Sequence, residues 1–200
     1  MNFLAHLLLS GENEKVIIGN YVGDFVKGKL TDEKTADWNQ DFVMGLKLHR
    51  YIDSVTDTHS VVREAKAKAA EVYGRISGII IDIYFDYFLA KYFNEFCAES
   101  LKAYSNRIYS VIGKNQSLIP DVMIPMSRVM IRQDWLNSYA DLEGIELTFN
   151  RMSQRADYMN SIKDAGIELR KNEAFYFEKF SIFFPQLQEK CADFISNNTK

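Results

Sequence analysis

Proline, the residue most disruptive inside a helix, does not occur before Pro120, and only Pro125 and Pro185 follow it. Apolar residues in the proline-free stretch recur at helical spacing, with 79, 83, 87 and 90 as one clear series. The spacing predicts helices from a capping Asn2 to Ser10-Gly11, from Asn13 to Lys27 with Gly28 as the stop, and from Gln40 to Val55. Further helices are expected over Val61 to Tyr73, Ile79 to Phe96 and Leu101 to Ile112, with Lys29 to Asn39 as a connector and a turn bracketed by Gly74 and Gly78. The start of Ile79 to Phe96 is β-branched, but its length and spacing favour helix over strand. After a loop from Lys114 to Pro125 come Met126 to Tyr139, Glu146 to Arg155 and a long Tyr158 to Phe184, irregular near Gly166. Pro185 is expected to bend the chain into a last helix. No repeat, low-complexity tract or linker interrupts this series, so residues 1–200 read as a single-domain, all-α multi-helix bundle.

At 200 residues and 47% hydrophobic content the chain can bury one sizeable core. Its net charge of −3 gives no reason to expect nucleic acid as a partner. Cys97 and Cys191 have no metal-type spacing and read as reduced thiols of a cytoplasmic protein. The apolar N-terminus has no basic segment before it, so no signal peptide is expected. No charge-free run approaches the ~20 residues of a membrane span.

The chemistry lies in polar residues set singly or in pairs within apolar segments. In GLKLHRYIDSVTD, His49 and Asp53 stand four apart on one helical face, with Arg50 beside them and Asp57 four further on. IIIDIYFDYFLAKYF holds only Asp82 and Asp86 as acids, again four apart, and two carboxylates so placed need a cation between or near them. Asp24 is the only acid of GNYVGDFVKG, and His6 the only ionisable side chain of MNFLAHLLL. Each has an ordinary reading. His49 and Asp53 could be a helix-surface pair, Asp82 and Asp86 could meet Arg50, Lys47 or Arg63, and Asp24 could be a cap. His6 could be a core histidine, Asp57 could cap the next helix, and His59 reads as exposed. Taken together, lone acids and histidines on apolar faces of different helices are how a bundle builds a metal site. A carboxylate-rich set with one or two imidazoles suits Mn²⁺, Mg²⁺ or Fe²⁺. Such an ion acidifies water and stabilises phosphoryl charge, and Arg50 is a natural phosphate clamp. Phosphate-binding loops and the GxSxG elbow are missing.

The opening MNFLAHL, then GNYVGDFVKG, GLKLHRYIDSVTD with VREAK after it, and IIIDIYFDYFLAKYF resemble the acyl carrier protein phosphodiesterase family in order and spacing. Weaker similarity continues through Trp135-Leu136 and Asn150-Arg151-Met152. The resemblance implies hydrolysis of the phosphodiester joining 4′-phosphopantetheine to a serine of acyl carrier protein. It also implies a divalent metal, usually Mn²⁺, and a distant HD-like kinship with all-helical metal phosphohydrolases. The family pattern carries over at His6, Asp24, His49, Arg50, Asp53, Asp57, Asp82 and Asp86. The expected metal ligands are Asp24, His49, Asp53, Asp82 and Asp86. His6, Arg50 and Asp57 are the expected catalytic groups, with His6 as an acid or a partner of the ligands. No contiguous His-Asp pair occurs, so HD ligand roles do not transfer directly. An acidic carrier protein needs a local basic patch, for which Lys27, Lys29, Lys34, Arg128 and Arg132 are candidates. Two rival readings stand beside this one: a metal phosphohydrolase acting on a nucleotide or other small phosphoester, and a non-enzymatic helical interaction protein.

Overall fold

The computed structural model describes residues 1–154 and 156–198. Among them the regular elements are helices, with no strand. In chain order the α-helices are α1 (Phe3–Leu8), α2 (Glu14–Tyr21), α3 (Asp32–Thr35), α4 (Gln40–Thr58), α5 (Ser60–Tyr73) and α6 (Ser77–Lys91). They continue as α7 (Leu101–Lys114), α8 (Ile124–Arg132), α9 (Trp135–Ser138), α10 (Leu142–Ser153), α11 (Ala165–Lys171) and α12 (Glu173–Asn198).

The apolar spacing places α6 at the centre. Ile80, Ile81, Ile83, Tyr84, Phe85, Tyr87, Phe88 and Leu89 are all buried, so the helix is covered around most of its circumference. It packs against α1, α5, α10 and α12. The facing stripe of α12 is Tyr176, Phe180, Phe183, Phe184 and Leu187, and Phe85 and Phe88 meet Phe180 with ring centroids 5.7 and 5.8 Å apart.

The tightest crossing joins α2 to α4. Gly19 lies against the Phe42 carbonyl and Gly45 against the Val16 carbonyl, so a Cβ at either position would fall 2.1 or 2.2 Å from a backbone oxygen. Two backbones approach this closely only where both helices lack a side chain. The crossing fixes α4, and with it His49 and Asp53, against the segment that leads to Asp24.

Several boundaries differ from the sequence-based expectation. The helix expected to reach Lys27 ends at Tyr21, and a 3₁₀ turn, Gly23–Phe25, replaces its last part. The His49 ring occupies the space there, only 2.1 Å from where a Gly23 Cβ would stand. The expected Met126 to Tyr139 helix is two pieces, because Asp134 takes a left-handed φ of 50°. Its carboxylate is held there by Lys102 at 2.7 Å and the Asn137 amide at 2.6 Å. The helix expected from Glu146 begins earlier, at Leu142, capped by Asp141; its expected end at Arg155 lies outside the described residues. The expected Tyr158 to Phe184 helix divides into a 3₁₀ stretch (Asp157–Asp164), α11 and α12. Pro185 sits inside α12 without ending it, since the aromatic stripe packs on both sides of it. Gly78 lies within α6 rather than in a turn, and the Asn2 side chain makes no capping bond.

Candidate metal centre

Three separate elements deliver the polar groups. α4 presents His49 and Asp53 one turn apart, α1 brings His6, and the Gly23–Phe25 turn brings Asp24. The His6 and His49 rings are stacked, with centroids 4.2 Å apart and planes inclined by 24°. The Asp53 carboxylate spans them: Oδ1 lies 3.3 Å from His6 Nε2 and Oδ2 lies 3.3 Å from His49 Nε2. Asp24 Oδ1 is 3.4 Å from the same His49 nitrogen. One ligand atom each from His6, His49 and Asp53 lies within 4.8 Å of the other two. Both histidines are buried, Asp53 is half-buried and Asp24 is exposed.

On the far side of each ring, Nδ1 meets Asn20. His49 Nδ1 lies 2.8 Å from the Asn20 carbonyl, and His6 Nδ1 lies 2.8 Å from Asn20 Oδ1. The electrostatics favour positive charge between the acids. Burial works against protonation of His49, yet the carboxylates of Asp24 and Asp53 lift it to about 9. Burial holds His6 below its usual value. Burial would also raise Asp53, but the two imidazoles keep it well below the ordinary carboxylate range. His49 likewise depresses Asp24. Two imidazole nitrogens, one bridging carboxylate and a second carboxylate within reach make a mixed N/O donor set.

The model of the acyl carrier protein phosphodiesterase family matches residues 1–187. The chain belongs to the acyl carrier protein phosphodiesterase family. It is 30% identical over 192 residues to the acyl carrier protein phosphodiesterase of Photorhabdus laumondii subsp. laumondii, covering 96% of this chain and 95% of that one. The proteins of the same name from Serratia proteamaculans and Salmonella newport are 28% and 26% identical, each over 96% of this chain and 98% of theirs. No solved structure matches.

Of the residues singled out from the family pattern, four meet in this cluster and four do not. Asp82 accepts from the Met1 ammonium at 2.9 Å. Asp86 is fully buried and accepts from the backbone N–H groups of Leu4 at 2.8 Å and Ala5 at 3.2 Å. It supplies the acceptor that the first turn of α1 lacks, and so holds in place the helix that carries His6. Arg50 donates through Nη2 to the carbonyls of Val26 at 3.2 Å and Gly28 at 2.6 Å, bracing the segment after Asp24. Asp57 is exposed and pairs with Lys66 at 2.6 Å; it does not cap α5, which starts after His59. Arg63 bonds the Asp57 carbonyl and Lys47 is exposed, so the pairing of Asp82 and Asp86 with Arg50, Lys47 or Arg63 does not occur. His59 is only half-exposed, 3.3 Å from Gln186.

Burial pushes the Asp86 carboxyl up to about 7, against the opposing pull of its two N–H donors. Asp86→Ala strands two buried donors, an expected loss of about 3 kcal/mol. Because folding raises this carboxyl above its ordinary 3.8, its ionisation opposes folding, and the stability it contributes falls as pH rises from about 4 to about 7. Urea unfolding of both proteins across this range should show the gap widest at low pH. A gap that widens toward pH 7 would contradict the assignment.

Proposed function

We propose that this protein hydrolyses the phosphodiester between 4′-phosphopantetheine and a serine of acyl carrier protein, giving the apo carrier and free 4′-phosphopantetheine. The observation that carries the reading is the convergence of His6, His49 and Asp53 in a member of this family. A divalent cation fits that donor set. Each ring is engaged at Nδ1 and turns Nε2 toward a carboxylate, and the field that retains a proton on His49 favours a cation in its place. His6, His49 and Asp53 would hold it, leaving the exposed Asp24 carboxylate free beside them, and Mn²⁺ suits the set, with Mg²⁺ or Fe²⁺ as alternatives. When bound, such a cation stabilises charge on a phosphoryl group and acidifies water.

The chain's own residues supply the rest. Asp53 holds the two imidazoles in register. Asp24, exposed on a short turn, accepts the proton of the attacking water. The water oxygen bonds to phosphorus, the bond from phosphorus to the serine oxygen breaks, and the departing serine oxygen takes up the proton that Asp24 received. Asp24 also lines a cleft of about 400 Å³ whose walls include Phe3, Phe25, Met126 and Met152, with Lys27 among its lining residues. The cleft suits a long, weakly polar arm with an anionic end. Lys27 and Lys29 are exposed nearby in the chain, Lys34 donates to the Lys27 carbonyl at 2.6 Å, and Arg128 and Arg132 are exposed on α8. These basic groups would meet the acidic carrier. Cys97 and Cys191 are unpaired, as the reducing cytoplasm keeps them, and no described helix is long and apolar enough to cross a membrane.

The test is a mass spectrum of holo acyl carrier protein after incubation with the purified protein, with Mn²⁺ and with chelator. Loss of the phosphopantetheine mass is expected with Mn²⁺ and not with chelator. An intact carrier beside a folded, Mn²⁺-loaded protein would reject the reading. Cleavage of free nucleotides under the same conditions would then favour the small-phosphoester alternative.

A further inference from the structure

We infer that Asn20 is a positioning residue that keeps a proton on Nδ1 of both histidines, and so turns both Nε2 atoms into the cluster. Asn20 is fully buried near the end of α2 and makes four polar contacts. Its Nδ2 donates to the His6 carbonyl at 2.8 Å and to Ser10 Oγ at 2.8 Å. Its Oδ1 faces His6 Nδ1 at 2.8 Å, and its own carbonyl faces His49 Nδ1 at 2.8 Å.

The chemistry of these neighbours leaves one assignment. The His6 carbonyl can only accept, so the amide end beside it must be the nitrogen. Exchanging O and N would set two oxygens 2.8 Å apart with no proton between them. The Ser10 hydroxyl donates to the same carbonyl at 2.8 Å, leaving its oxygen free to accept from Asn20. With the amide fixed, Oδ1 is an acceptor and His6 must carry its proton on Nδ1. The Asn20 carbonyl is likewise only an acceptor, so His49 carries its proton on Nδ1 too. Both Nε2 atoms are therefore the nitrogens that face Asp53. One residue performs for two rings the orienting task that usually needs a partner for each. The opposite tautomer on His6 would point a hydrogen where a cation must bind.

The tautomer belongs to the metal-free protein, whereas the affinity arm of the test rests on the proposed cation site, so the two fail separately. The measurement is a long-range ¹H–¹⁵N spectrum of metal-free protein labelled at histidine, taken with the His6 ring neutral. The expected result is a proton on Nδ1 of His6; a proton on Nε2 overturns the inference, and no variant is needed to see it. Asn20→Leu keeps the bulk but removes the side-chain acceptor. It should free His6 to populate both tautomers while the Nδ1 proton of His49, held by a backbone carbonyl, stays in place. Mn²⁺ affinity by calorimetry should weaken about 10–100-fold. A folded Asn20→Leu protein with native affinity and a His6 proton still on Nδ1 would also overturn it.

Discussion

Replacing Asp53 with alanine should leave a folded protein that no longer turns over holo acyl carrier protein. Asp53 contacts both imidazoles at Nε2, through different oxygens of one carboxylate. Its removal deletes a charge from the cluster and lets the stacked rings lose register. Loss of a single charge-stabilising group of this kind costs about a thousand-fold in rate, and loss of a bridging one should reach at least that. The side chain is 45% exposed, so folding depends on it little, and the thermal midpoint should move by only a few degrees. Steady-state kinetics with Mn²⁺, paired with calorimetric titration of the metal, measures both effects. Native turnover in a folded Asp53→Ala protein would remove the site from consideration.

Gly45→Ala should be strongly destabilising. The added Cβ meets the Val16 carbonyl at 2.2 Å and the Asn20 nitrogen at 2.8 Å, both backbone atoms that no rotamer change can move aside. The helices must separate. Overpacking of this kind costs roughly 1–3 kcal/mol and sometimes more, and it outweighs the ~1 kcal/mol that alanine gains over glycine in a helix. Separating α2 from α4 also draws Asn20 away from His49, so activity should fall with stability. Gly113→Ala is the control: nothing lies within 4 Å of its added Cβ, and it should be neutral or stabilising. Urea midpoints of the two variants should therefore move in opposite directions or, at the least, by very different amounts. Equal midpoints would mean that the crossing tolerates a methyl.

How far the sequence revealed this molecule depends on what each residue faces. α4 and α6 were readable because long apolar periodicity leaves little choice of structure, and His49 and Asp53 were readable because their spacing lies within one helix. The end of α2 was not, because what stops it is the ring of His49, 26 positions away in the chain from Gly23. Asp82 and Asp86 stand out in the sequence because an acid in an apolar run demands a partner. The partners are the ammonium and amide N–H groups of the first residues, which a sequence does not display as donors. Asn20 is inconspicuous in the sequence for a related reason. A neutral side chain in an apolar segment raises no electrostatic alarm, and only its contacts with His6, Ser10 and His49 reveal its importance. The signal was present: a lone amide in VIIGNYVG, where burial requires every one of its polar atoms to be met.

The anchoring of α1 by Asp86 has a consequence in time. α1 has six residues, too few to persist as a helix without support, and its amides find their acceptor 82 positions further along the chain. On the ribosome, at roughly 5–20 residues per second, His6 emerges many seconds before α6 does. The first of the cluster's groups to be synthesised is thus held in waiting, and the cluster closes only when the central helix has arrived to receive it.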